Sequence, residues 1–176
     1  MVKTAFAALL VLGTTACVTM PESYAPPVQR KPALSEDAPV TTPGLLQMDK
    51  VETDAYIVQD IPKGETGPWR WAGPRPTVRL YLTAIADYKA RVEYTVAEAT
   101  FKTTGPVTLR FFVNNQLLGE QRHNLPGTFT FEKSVPYKML KANNDNDLAV
   151  EVDKPYVAER DGAKLGFILS AIGFVR

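Results

Sequence analysis

From Pro68 to Arg176, apolar residues recur at every second position. Val78-Leu80-Leu82, Val92-Tyr94-Val96, Val107-Leu109-Phe111-Val113, Phe129-Phe131, Leu148-Val150-Val152 and Leu165-Phe167-Leu169 alternate with polar or small residues, the period of a strand buried on one face. Gly73-Pro74, Gly105-Pro106, Asn114-Asn115, Pro126-Gly127 and Asn143-Asn144-Asp145 supply turn chemistry between the runs. Seven or eight short strands, each with one polar face, predict an all-β fold in which two antiparallel sheets pack face to face. Pro136 to Ala142 breaks the period; a proline ahead of Met139-Leu140 predicts a single helical turn there. Asn114-Asn115 suits a two-residue hairpin, which needs left-handed backbone at both positions.

The first sixty-seven residues read differently. Lys3, the apolar run Thr4 to Gly13 and the small residues Thr14-Thr15-Ala16 before Cys17 have the three parts of an export signal. Ten helical residues rise about 15 Å, half of a roughly 30 Å hydrocarbon layer, so residues 1–16 are expected to be a signal peptide rather than a permanent span. Cys17, the one cysteine of the chain, stands where a lipoprotein is cut and acylated. The segment resembles a lipobox with Thr14 in the usual leucine place, and Thr14-x-Ala16 also suits an ordinary signal peptidase. Lipidation of Cys17 implies an extracytoplasmic protein fixed to the membrane by its acyl chains, palmitate among them; without it the chain is secreted or periplasmic. Val18 after the cysteine resembles the pattern of lipoproteins forwarded to the outer membrane of diderms.

Between Val18 and Lys50 stand Pro21, Pro26, Pro27, Pro32, Pro39 and Pro43 with no sustained apolar period, which reads as a disordered, semi-rigid tether. The expected organisation is therefore a signal peptide at 1–16, a lipidated cysteine with a disordered linker at 17–67, and a β-sandwich at 68–176. Residues 51 to 67, Ala55-Tyr56-Ile57-Val58 among them, either form a lead-in strand or remain part of the tether.

Charge narrows the partners. Twenty basic residues less Lys3 leaves nineteen, against nineteen acidic ones. Without a basic field to release counterions from phosphates, nucleic acid is not an expected partner. Once Cys17 is acylated no thiol remains, and no disulfide supports the fold.

Phe112-Val113-Asn114-Asn115-Gln116-Leu117-Leu118-Gly119 resembles the strand-turn-strand "V-N-G-x-x-x-G" of galactose-binding-like jelly rolls. Pro136-x-x-Met139-Leu140-Lys141, leading through Asn146 to Leu148-x-Val150-x-Val152, is similar to the segment of that fold in which a short turn ends at an asparagine and re-enters a strand. Leu165-Gly166-Phe167-Ile168-Leu169-x-x-Ile172 resembles its last strand. The resemblance spans Pro68 to Arg176 and implies a jelly-roll sandwich of the kind found in sugar-binding and accessory domains; it specifies fold better than ligand.

Five residues are candidates for binding. Trp69 and Trp71, two apart, face one way if they share a strand; exposed indoles stack on the C–H faces of sugars, whereas a tryptophan pair at this spacing more often caps a core. The polar loop from Asp153 to Lys164 offers Tyr156 for stacking and Arg160 and Asp161 for hydroxyl groups. Asn143 to Asp147 offers oxygen ligands of the kind that jelly rolls use for a structural calcium, but Leu148 occupies the bend position of an EF-hand loop, so the run reads as a solvated turn. His123, the one histidine, has no partner with which to build a zinc site and reads as a surface turn residue.

Catalysis has little to stand on. Nucleophile elbows, Ser-His-Asp contexts and glycine-rich phosphate loops are missing. Glu93 and Glu98, five apart and read as one strand, point to opposite faces rather than flanking a glycosidic bond. The sequence therefore supports a non-catalytic, membrane-anchored sandwich that binds glycan or envelope polysaccharide. A cell-envelope adaptor that binds a protein partner through the sandwich is the alternative. Exposure of Trp69 and Trp71 separates the two.

Overall fold

A computed structural model describes residues 44–65 and 67–176. The expected signal peptide, Cys17 and the expected linker up to residue 43 lie outside the described residues. The chain runs through β1 (Leu45–Gln47), a 3-10 turn at Val51–Tyr56, β2 (Ile57–Gln59), β3 (Arg70–Ala72), β4 (Thr77–Leu82), β5 (Lys89–Val96), helix α1 (Glu98–Thr104), β6 (Val107–Val113) and β7 (Gln116–His123). It continues through β8 (Gly127–Ser134), a 3-10 turn at Tyr137–Met139, β9 (Asn144–Val152), the short β10 (Tyr156–Val157) and β11 (Lys164–Leu165), and β12 (Phe167–Val175).

Two antiparallel sheets of five strands form the sandwich. One has the order β1-β12-β5-β8 with β3 also on β12; the other is β2-β4-β9-β6-β7. Side chains on alternate positions meet between them. Tyr94 of β5 packs against Phe111 of β6 with centroids 6.0 Å apart, and Phe111 stacks on Phe131 of β8 at 3.6 Å. Each such fully buried aromatic contributes roughly 1.5–3 kcal/mol relative to an exposed one. Nothing polar is stranded in this core: among the described residues every buried side-chain nitrogen or oxygen has a partner.

The turns explain why the strands stop where they do. Asn114 and Asn115 both have positive φ, 48° and 65°, the backbone of a two-residue hairpin between β6 and β7. Asn146 is fully buried, and its amide is saturated: Oδ1 accepts from Asn114 Nδ2 and the Lys141 amide, and Nδ2 donates to the Lys141 and Asn144 carbonyls. One asparagine thus fastens the hairpin to the Tyr137–Met139 turn and to the start of β9. Its oxygen is taken by amide donors and Asp147 is paired with Arg79; Asn143 closes a turn, and Asn144 to Asp147 open β9, paired with Leu82 to Arg79 of β4 rather than forming a solvated turn.

Three further expectations are corrected. Residues 44–50 are not linker, and of the two fates open to 51–67 the lead-in strand is the one that forms. β1 pairs with β12 from Leu45↔Gly173 to Gln47↔Ala171, and β2 pairs with β4. A Cβ on Gly173 would collide with the Gly44 carbonyl oxygen, so β1 is seated where only glycine leaves room. Glu98 lies on helix α1 rather than in the strand of Glu93, and is ion-paired with Lys102. His123 is buried, not on a surface turn. The register shift between Phe111 and Phe112 makes Leu118 an extra residue on β7. Beyond that bulge the parity reverses, turning His123 inward beside Val107. Its Nε2 lies 2.9 Å from the Tyr94 hydroxyl, which itself donates to Gln121 Oε1 at 2.7 Å.

Candidate functional site

Strand β3 places its tryptophans by burying what lies between them. Arg70 points inward with no solvent exposure, so its neighbours Trp69 and Trp71 point outward. Trp69 is 42% exposed and Trp71 half-buried; the two rings meet edge to face, 6.3 Å apart at 85°. Capping of the core by this pair, the commoner fate of such residues, is therefore not what the strand does.

Arg70 earns its burial by using every donor of its guanidinium. Nε donates to the Met48 carbonyl, one terminal nitrogen to Asp54 and the Pro62 carbonyl, and the other to the carbonyls of Lys50 and Glu65. A buried charge is tolerated only when compensated in this way. The side chain consequently holds the excursion from Met48 to Glu65 against the root of the tryptophan pair. The Arg70 guanidinium and the Gly64 amide hold the Asp54 carboxyl below its ordinary range.

Beside Trp71 opens a shallow cavity of about 330 Å³, walled by Asp60, Ile61, Pro62, Gly73, Lys164 and Leu165. Asp60 adopts φ 57°, and its Oδ2 accepts from the Arg75 amide at 2.8 Å. Its carbonyl accepts from the Gly73 amide at 2.7 Å. A Cβ on Gly73 would press against Asp60 at 3.1 Å, so the glycine lets the acidic loop close on the strand. The site thus combines aromatic faces with a carboxylate and an ammonium, groups suited to a ligand with C–H faces and hydroxyls.

The predicted residues are only partly gathered here. Tyr156 is half-buried on β10, opposite Leu165, which lines the same cavity. Arg160 and Asp161 lie at the tip of the β10–β11 hairpin, outside that lining. Asp161 is occupied in shaping the tip: its Oδ1 accepts from the Ala163 amide at 3.0 Å, next to Gly162 with φ 70°. Sequence reading missed Asp60 and Lys164, brought to Trp71 by pairings between distant segments. Among the described residues no group of three or more His, Cys, Asp or Glu side chains is placed to hold a metal ion.

A family model described as the beta-galactosidase second all-beta domain matches residues 69–155, from the first tryptophan to just past β9. The domain is a galactose-binding-like β-sandwich. Solved structures similar to this sandwich include a family 35 carbohydrate binding module from an environmental isolate, at 14% identity and TM-score 0.46 over 75% of this chain and 92% of that one. A family 35 module from Cellvibrio japonicus is 13% identical, with TM-score 0.39 over 75% and 91% of the two chains. An acetyl xylan esterase from the rumen bacterium Butyrivibrio proteoclasticus is 9% identical, with TM-score 0.42 over 75% of this chain and 33% of that one. No curated protein matches the chain.

Proposed function

We propose that this chain is an extracytoplasmic, non-catalytic lipoprotein whose sandwich binds glycan or envelope polysaccharide at the Trp69–Trp71 shelf. The observation that carries the reading is the outward pair of indoles beside the Asp60–Lys164 cavity. An aromatic face stacks on the C–H face of a sugar ring while charged groups at its edge bond the hydroxyls. The contact is weak per ring, and repeats along a polysaccharide multiply it. The family model that begins at Trp69, drawn from an enzyme that acts on galactosides, supports the same class of partner.

The described chain enters the sandwich at Gly44, whose carbonyl accepts from the Phe174 amide, whereas Trp71 lies opposite Ile168 at the other end of β12. Among the described residues no helix is long and apolar enough to cross a membrane. On this reading the acyl chains on Cys17 make the attachment.

A glycan array probed with the whole exported chain tests the reading. Binding to at least one polysaccharide, lost in Trp71→Ala and weakened in Trp69→Ala and Tyr156→Ala while each variant stays folded, is the expected result. A wild-type chain that binds no glycan would instead favour an adaptor for a cell-envelope protein.

A further inference from the structure

The sandwich has a second recess at the opposite end from the tryptophans. Between the β4–β5 connection and the Tyr137–Met139 turn lies a cavity of about 600 Å³ lined by Asp87, Tyr88, Lys89, Ser134, Tyr137 and Arg176, among others. Trp71 pairs across β12 to Thr95, and Lys89 begins the same strand β5. Six residues of strand therefore separate the two ends, on the order of 20 Å.

The walls of this recess are built and partly unspent. Tyr88 sets its ring edge-on to Phe174 at 6.3 Å, with the Arg176 guanidinium 4.8 Å over its face and donating to its hydroxyl at 3.2 Å. The Tyr88 carbonyl accepts from the Val135 amide at 2.8 Å, tying the two loops together. Tyr137, opposite, is 71% exposed. Among the described residues Asp87, held at φ 61°, has no hydrogen-bonded or ionic side-chain partner, and Ser134 donates to none. Lys89 is paired with Glu132.

We infer that this recess is a second saccharide site, so that one domain grips two sugar units or two chains at its opposite ends. The proposal rests on the glycan-binding reading above. An open tyrosine face, an acceptor carboxylate, a guanidinium with donors to spare and a hydroxyl that serves both ways match a neutral sugar, which offers a C–H face ringed by hydroxyls. A purely anionic ligand would face the Asp87 carboxylate, and an apolar one would leave it and Arg176 unserved. Two sites at opposite ends make the domain a bridge between chains and raise its avidity for a polymer.

Calorimetry of the full chain with gluco-, xylo-, manno- and galacto-configured neutral hexasaccharides, run beside tryptophan emission, tests this. Both tryptophans of the chain belong to the shelf, so emission reports that site alone. The inference predicts two sites per chain by heat. Tyr137→Ala, at an exposed position, should lower the stoichiometry to one and leave the emission titration unchanged; Asp87→Asn should weaken the second site at least tenfold. One site that Tyr137→Ala leaves untouched overturns the inference and keeps the shelf. Binding abolished by Tyr137→Ala but indifferent to Trp71→Ala keeps this site and overturns the shelf. No heat with any hexasaccharide overturns both.

Discussion

Arg70 reaches from the sandwich interior to the carboxylate of Asp54, and with it fastens residues 48–65 to the strand that carries Trp71 and directly follows Trp69. The first prediction follows from what its removal leaves behind. Arg70→Met takes the donor from the buried Met48 carbonyl, from the carbonyls of Lys50, Pro62 and Glu65 and from the Asp54 carboxylate, and is expected to cost about 3 kcal/mol. Urea unfolding measures the loss, and hydrogen exchange should show 44–65 opening ahead of β5 and β12. Equal protection of the two regions would contradict this role.

Acid should weaken the fold in two steps with separate causes. Burial holds His123 below its ordinary 6.5, so the unfolded chain binds a proton that the folded chain resists. Its contribution is whole above about pH 6.5 and is lost as pH falls through the depressed folded value. Asp54 is likewise depressed below 3.8, and its contribution is lost only at still lower pH. Thermal melts across pH should decline first below 6.5. His123→Gln, which keeps an amide donor for Tyr94, should flatten that first decline and leave the second.

Asn146→Ala removes four hydrogen bonds at a fully buried position and should destabilise by about 2–3 kcal/mol. Because the same amide binds Asn114 and the Lys141 segment, its neighbours lose their order together. In a double-mutant cycle, Asn146→Ala with Asn114→Ala should cost less than the two separate losses. Strict additivity would mean the two asparagines act independently.

Much of the sandwich was legible because its strands obey period two: the inward sets of β4, β5, β6, β8 and β9 are those that alternation selects, and the Asn114-Asn115 turn and the helical turn after Pro136 have local chemistry. What was not legible depends on distance. The folding of 44–65 turns on a charged residue going inward, and nothing around Arg70 in the sequence reveals that carbonyls up to twenty-two residues away await it. The Trp-x-Trp spacing carried a clue, since two outward indoles require the residue between them to face in. His123 was misplaced because one extra residue, Leu118, reverses the parity of β7. The shelf itself was visible, but its partners Asp60 and Lys164 come from segments about a hundred residues apart in sequence that only β-pairing joins.

If Cys17 is the acylation site, intact-mass analysis of the exported protein should find a chain that begins at Cys17 and carries three acyl chains. Cys17→Ser should move it from the detergent phase to the aqueous one. A mature chain that begins at Val18, or keeps its leader, would refute the anchor.

The most direct test of the glycan-binding shelf is the emission of the two tryptophans while the whole chain is titrated with a polysaccharide that it retains on an array. A saturable shift or quench is expected, with a midpoint matching calorimetry and lost in Trp71→Ala. Measurable binding by heat with no change in tryptophan emission would contradict the account.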